Sequence, residues 1–138
     1  MNDLIVRILT AEKPVSIFIL IIISINYIEN RPWGSFTVID EGDGFKVKRL
    51  TINPGHSTSM QFHQHRSERW TVVEGEATVI LEGVIHKIIR NESIYISLGS
   101  KHQLANNEDS VMQLIEVQIG SYLGEDDIVR LEDKYGRL

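Results

Sequence analysis

The chain has 138 residues, 14 Lys and Arg against 19 Asp and Glu, and a formal net charge of −5. This is the length of one domain, able to bury roughly 68% of its unfolded surface without covalent staples. With no cysteine, disulfides, thiolate zinc sites and cysteine nucleophiles are excluded, and a cytoplasmic location is the expectation. The acidic balance argues against a nucleic-acid partner, which would need clustered Lys and Arg.

The first apolar run, Val15 to Ile25, contains six isoleucines and follows Lys13 and Pro14. It is shorter than the roughly 20 residues a transmembrane helix needs. Its flanks, with Asp3 and Glu12 beside Arg7, do not suit a signal peptide. The β-branched content favours a strand. A short membrane-associated helix and a remnant of a longer ancestral chain stay open as alternatives. Residues 1–30 are therefore set apart as an N-terminal extension with an apolar strand, before a domain over 31–138.

From Arg31 the pattern changes to short alternating runs. Ser35 to Asp40, Phe45 to Ile52, Trp70 to Glu74, Ala77 to Leu81, Ile94 to Ser97 and Val111 to Ile119 read as strands, separated by turn residues such as Pro54-Gly55, Gly75, Gly83 and Gly99. Many short strands at this spacing indicate an all-β sandwich or barrel. Only the tail suggests a helix. Ile128, Leu131 and Tyr135 fall three and four apart, Glu125, Asp126 and Asp127 suit the positive end of a helix dipole, and Gly136 can stop it.

Chemistry is concentrated in two blocks. In Gln61-Phe62-His63-Gln64-His65-Arg66-Ser67-Glu68, strand parity projects Gln61, His63 and His65 to one face. Glu68 rejoins them if Arg66 and Ser67 form a turn and Glu68 opens the next strand. Two imidazoles and a carboxylate would suit a borderline divalent metal with positions left open. The second block, Asn91 to Asn106, carries His102 after a Gly99 turn. The first block alone reads equally well as a surface histidine pair beside a solvated glutamate, and His102 alone is more often a satisfied structural histidine.

Together the blocks resemble the cupin family. Gly55, His63, His65, Glu68 and Gly75 match its first motif, and Gly99, His102 and Asn106 its second, with Ser97 in place of proline. The gap from Gly55 to His63 is long, only two residues separate His65 from Glu68, and Asn91 stands where glycine is usual. The resemblance implies a double-stranded β-helix, a jelly-roll barrel with a metal in its mouth. RPWGSF, FKVKRLTINPG, QFHQHRSERWTVVEGEA, NESIYI and LIEVQIGSYLGEDDIVRLEDKYGR look more narrowly like the type II mannose-6-phosphate isomerase domain. That domain is usually the C-terminal part of bifunctional mannose-1-phosphate guanylyltransferases. Arg69 replaces the histidine usual after the glutamate, and the 30 preceding residues cannot hold a nucleotidyltransferase.

The resemblance implies a stand-alone isomerase of GDP-mannose metabolism, interconverting mannose 6-phosphate and fructose 6-phosphate. The alternative is a non-catalytic cupin that binds a sugar phosphate or regulates. The metal ligands would be His63, His65, Glu68 and His102, with Gln61 as alternative. Zinc best suits such a set, with manganese, iron or nickel open. Glu116 and Lys48, on alternating strands, are candidate catalytic residues, and Gln118 shares the face of Glu116. Arg66, Lys101 and Arg130 are candidate phosphate contacts, since guanidinium forks match phosphate oxygens. Trp33, Trp70, Tyr95 and Tyr122 read as core or dimer contacts. A homodimer, joined by N-terminal strand exchange, would cover the second face of an apolar strand that a small barrel leaves open.

Overall fold

The structure, a computed structural model, describes residues 27–138. The apolar run Val15 to Ile25 and the strand exchange expected of it lie outside the described residues. Among the described residues eleven strands follow one another: β1 (Ile28–Arg31), β2 (Gly34–Gly42), β3 (Phe45–Ile52), β4 (Met60–Phe62), β5 (Arg66–Glu74), β6 (Glu76–Leu81), β7 (Val84–Ile89), β8 (Ser93–Ile96), β9 (His102–Ala105), β10 (Met112–Gly120) and β11 (Val129–Glu132). The expected boundary after residue 30 falls inside β1. No helix among the described residues is long and apolar enough to cross a membrane.

The strands form two antiparallel sheets, ordered β1-β2-β3-β10-β5-β8 and β11-β4-β9-β6-β7. Their alternation is that of a sheet with one buried face. Along β10, Met112, Leu114, Glu116 and Gln118 are buried, while the residues between them are not. In β5 the buried set is Arg66, Glu68, Trp70 and Val72. Leu114 stands opposite both Leu50 and Val72, and Met112 opposite Ile52. With Val79, Ile96 and Leu104 these residues make the core. Turn chemistry holds the hairpins: Gly75 joins β5 to β6 at φ +75°, where a Cβ would crowd the Val111 carbonyl. Asn91, in the place expected to favour glycine, also has positive φ (75°), a conformation asparagine tolerates.

The expected C-terminal helix is not formed. Its residues instead make β11, with Val129 opposite Phe62 and Arg130 opposite Gln61. Pairing with β4 satisfies backbone groups that a helix would have left exposed on that edge. Three apolar positions at helical spacing are too few to outweigh a ladder. The chain beyond β11 closes in a turn, with the Arg137 guanidinium bidentate on Asp133 at 2.7 Å.

Candidate metal centre

The site lies where the inward rows of the six-stranded sheet turn from apolar to polar. Opposite one another stand Lys48 and Glu116, then Glu116 and Trp70, then Gln118 and Glu68. From the second sheet, Gln61 and His102 face each other across β4 and β9. Strand β4 ends at Phe62, so His63 sits on a connection rather than within a strand.

His63, Glu68 and His102 come together with one ligand-type atom each, all within 4.8 Å of one another, and all three residues are buried. His63 Nε2 lies 3.1 Å from Glu68 Oε1 and His102 Nε2 lies 3.9 Å from Glu68 Oε2. The far nitrogens are committed elsewhere. His63 Nδ1 meets the Asp127 carbonyl at 2.5 Å and His102 Nδ1 the Ser100 carbonyl at 2.8 Å. A carbonyl only accepts, so each Nδ1 carries the proton and each Nε2 turns a lone pair toward the carboxylate. His102 Nε2 is buried and has no hydrogen-bond partner among the described residues. Lone pairs facing a carboxylate repel unless a proton or a cation lies between them. Two neutral nitrogens, one carboxylate oxygen and an orphaned nitrogen fit a divalent ion.

Burial pushes His102 below the usual histidine range, against the opposing pull of Glu68. Burial also works to raise Glu68, but the hydrogen bond and charge of His63, with the charges of Arg66 and His102, hold it well below the carboxylate range. His63 exerts that pull with a proton on Nε2, the place a metal ion would take. Both shifts favour the forms that bind metal. Glu116 behaves oppositely: burial, reinforced by the Glu68 charge, raises it to about 8, although Lys48 and Arg66 pull it down. Trp70 Nε1 donates to both carboxylates, 3.0 Å from Glu68 Oε2 and 3.0 Å from Glu116 Oε2. Gln118 Nε2 donates to the other Glu116 oxygen at 2.7 Å. The two carboxylates are thus bridged by one indole and driven to different protonation behaviour.

The other candidates fall into three groups. Lys48 is buried in the same pocket, with its ammonium 4.1 Å above the Phe36 ring and paired to Glu125. Arg66 is buried beside the cluster, its Nε 2.8 Å from Glu68 Oε1 and its Nη2 3.4 Å from His63 Nε2. Gln61 and Arg130 line the pocket. Gln61 accepts from the Ser59 hydroxyl at 2.7 Å, and the buried Arg130 Nε has no partner among the described residues. His65 does not join the cluster: its side chain is 49% exposed and its Nδ1 lies 3.1 Å from Asp127 Oδ1. Lys101 is exposed, away from the pocket lining, and its backbone N–H is held by the Glu82 carboxylate.

His65 departs from parity because β4 stops before it. The reversal occupies Gln64 and His65, not Arg66 and Ser67, and β5 already runs from Arg66. Three charged residues of the pocket lining, Arg31, Glu125 and Arg137, are not marked as site residues by the sequence, and neither is Asp127, which lies outside that lining but meets His63 through its carbonyl. The sequence places Glu125 and Asp127 at a helix dipole, and Arg31 and Arg137 stand in the family strings without a role of their own. Trp70 is in the core as expected, 3% exposed, but its indole nitrogen also serves the site. Arg69 points outward, its guanidinium 5.2 Å from the Tyr95 ring centre, so this departure from the family pattern leaves the pocket unchanged.

Two antiparallel sheets closed around a buried His/Glu/His group define a cupin. An RmlC-like cupin from Shewanella frigidimarina superposes with TM-score 0.65 at 22% identity, over 73% of this chain and 87% of that one. A cupin-superfamily sugar phosphate isomerase from Silicibacter pomeroyi superposes with TM-score 0.59 at 16% identity, over 74% and 77%. Both establish the fold. Residues 24–133 match the mannose-6-phosphate isomerase C-terminal family, and the chain belongs to it. A mannose-1-phosphate guanylyltransferase of Escherichia coli is 52% identical over 108 residues, which are 78% of this chain and 23% of that protein. The chain therefore spans about a quarter of the length of the curated relatives it matches.

Proposed function

We propose that the chain is a metal-dependent mannose-6-phosphate isomerase, acting in the cytoplasm as its lack of cysteine suits. The observation that carries this reading is the pairing of a metal-suited His63, Glu68 and His102 cluster with a second buried carboxylate, Glu116, raised to about 8. A divalent ion, zinc by the donor set or manganese, iron or nickel, would supply Lewis-acid polarisation of the sugar carbonyl. The protein's own residues do the rest. Glu116 takes the proton from C2 of the open-chain aldose and returns it to C1: the C2–H electron pair becomes the C1=C2 bond of the enediol and then the new C1–H bond, while a proton passes from the C2 hydroxyl to the C1 oxygen as the ketone forms at C2. A base with a pKa near the working pH is suited to both halves of that transfer.

Trp70 and Gln118 fix the Glu116 carboxylate by donating to both its oxygens. Lys48, opposite Glu116 in the sheet, balances its charge when ionised. Arg66 and Arg130 are the contacts for the phosphate, since both line the pocket and a guanidinium presents a fork of donors. The test is incubation of metal-loaded protein with mannose 6-phosphate, following fructose 6-phosphate. Turnover is expected. Its absence with zinc, manganese, cobalt and nickel defeats the proposal, and calorimetric binding without conversion would leave a sugar-phosphate-binding cupin.

A further inference from the structure

We propose that Asp127 is the positioning residue of the site: it locks the reversal that carries His63 and sets that ring's tautomer. The inference rests on the metal-holding reading above but concerns a residue outside the cluster. His102 is held by its own strand and by the Ser100 carbonyl two residues away. His63 lies outside any strand, supported by the Gly99 N–H 3.0 Å from its carbonyl and by Arg66 Nη2 3.4 Å from its Nε2. It follows the end of β4, and the next two residues are outside any strand. Their backbone N–H groups donate instead to the two oxygens of Asp127, Gln64 to Oδ1 and His65 to Oδ2, each at 3.0 Å.

The same residue reaches His63 by another route. Its backbone carbonyl, 64 positions away in the chain, meets His63 Nδ1 at 2.5 Å. One buried residue, 6% exposed, thus holds the connection by its side chain and the ring by its main chain. The carboxylate fixes where the carbonyl sits, and the carbonyl leaves His63 Nε2 as the lone-pair nitrogen facing Glu68. Asp127 N–H closes a turn onto the Gly124 carbonyl at 3.1 Å, so the segment arrives preformed. His65, the second histidine of the motif, acts here as a third donor on Asp127 through Nδ1. It braces the clamp rather than facing the cluster.

Outer partners of this kind are worth about 10- to 100-fold in metal affinity when removed. The experiment compares wild type with Asp127→Ala, Asp127→Asn, His63→Ala and His65→Ala. Two quantities are read: Co²⁺ affinity by competition with a chromophoric chelator, and the His63 tautomer in metal-free protein from long-range ¹H–¹⁵N spectra. In wild type, His63 is expected as a single Nδ1–H form. Asp127→Ala should bind Co²⁺ about 10- to 100-fold more weakly and show a mixture of tautomers. Asp127→Asn keeps one acceptor oxygen and should lose less, with the same spectral change. His65→Ala removes one of three donors on Asp127 and should weaken Co²⁺ binding less than Asp127→Ala does, whereas His63→Ala loses the metal.

An unchanged tautomer in the Asp127 variants overturns the proposal, even with weaker binding, because Asp127 is then merely structural. A His65→Ala loss as large as that of His63→Ala also overturns it, making His65 a ligand. If Asp127→Ala does not fold, Asp127→Asn decides on the same criteria. If wild type binds no Co²⁺, the metal reading fails separately, and the tautomer comparison alone still decides the role of Asp127.

Discussion

The inward rows of β3, β10 and β5 run through the barrel in register, and their two ends hold opposite chemistry. At one end Ile52 faces Met112 and Leu50 faces Leu114, which faces Val72. Two residues further along each strand stand Lys48, Glu116 and Trp70, then Lys46, Gln118 and Glu68. The backbone is the same throughout. The apolar end gains from removing hydrocarbon from water, whereas burying Glu68, Glu116, Lys48 and Arg66 costs free energy that only mutual pairing offsets. Apolar burial is therefore vested in one end and buried titratable groups in the other, separated by a single step of the pleat.

Substitutions at the two ends should separate cleanly. The largest effect is expected at the polar end: Glu116→Gln should lower isomerase turnover by about 10²- to 10⁴-fold with metal content unchanged, read by steady-state kinetics beside elemental analysis. His102→Ala should differ by losing the metal as well. At the apolar end, Leu114→Ala should lower unfolding free energy by about 2–5 kcal/mol in urea titrations, with full metal stoichiometry in the folded fraction. A clear loss of metal affinity from Leu114→Ala, measured in native conditions, would show that the two ends are coupled.

A smaller effect is expected where the rows run out. Gly120 stands opposite Arg66, and a Cβ there would drive into the His65 carbonyl. Gly120→Ala should therefore cost about 1–3 kcal/mol and weaken Co²⁺ binding, because the strain falls on the connection bearing His63. The smallest effect is at the C-terminal turn, away from both ends. Arg137, through its hydrogen bonds and charge, lowers the Asp133 carboxyl from 3.8 to about 2. A carboxylate lowered on folding stabilises above its unfolded pKa and stops doing so as pH falls through its folded one. Asp133→Asn should thus shift the urea midpoint slightly at pH 7, with the difference shrinking between pH 4 and pH 2.

Much of the fold was legible because the long strands keep strict alternation. Phe45–Ile52 agrees at both ends with β3, and the runs beginning near Ser35, Trp70, Ala77, Ile94 and Val111 mark β2, β5, β6, β8 and β10. Strands β1 and β11 have four residues each, too few for a period to declare itself, and the six-residue β7 (Val84–Ile89) is mostly exposed and shows no alternation. Of the cluster, His63, Glu68 and His102 were visible through the spacing of two motifs. His65 was not separable from them, since parity carries no warning that a strand stops at Phe62. The role of Asp127 was hidden for a different reason: its partners lie more than 60 positions back in the chain, and nothing local distinguishes it from Asp126.

Strand order also sets a timetable. β10 lies between β3 and β5, so until residues 112–120 are available the larger sheet exists as two separate pieces, β1-β2-β3 and β5-β8. A chain growing from its N-terminus has then already released His63, Glu68 and His102, yet has nowhere to assemble them. Closure waits for β10, and the brace on His63 waits for Asp127. Newly made chains must accordingly hold unpaired β3 and β5 edges until late in synthesis, when non-local pairing is slow and such edges invite association between chains.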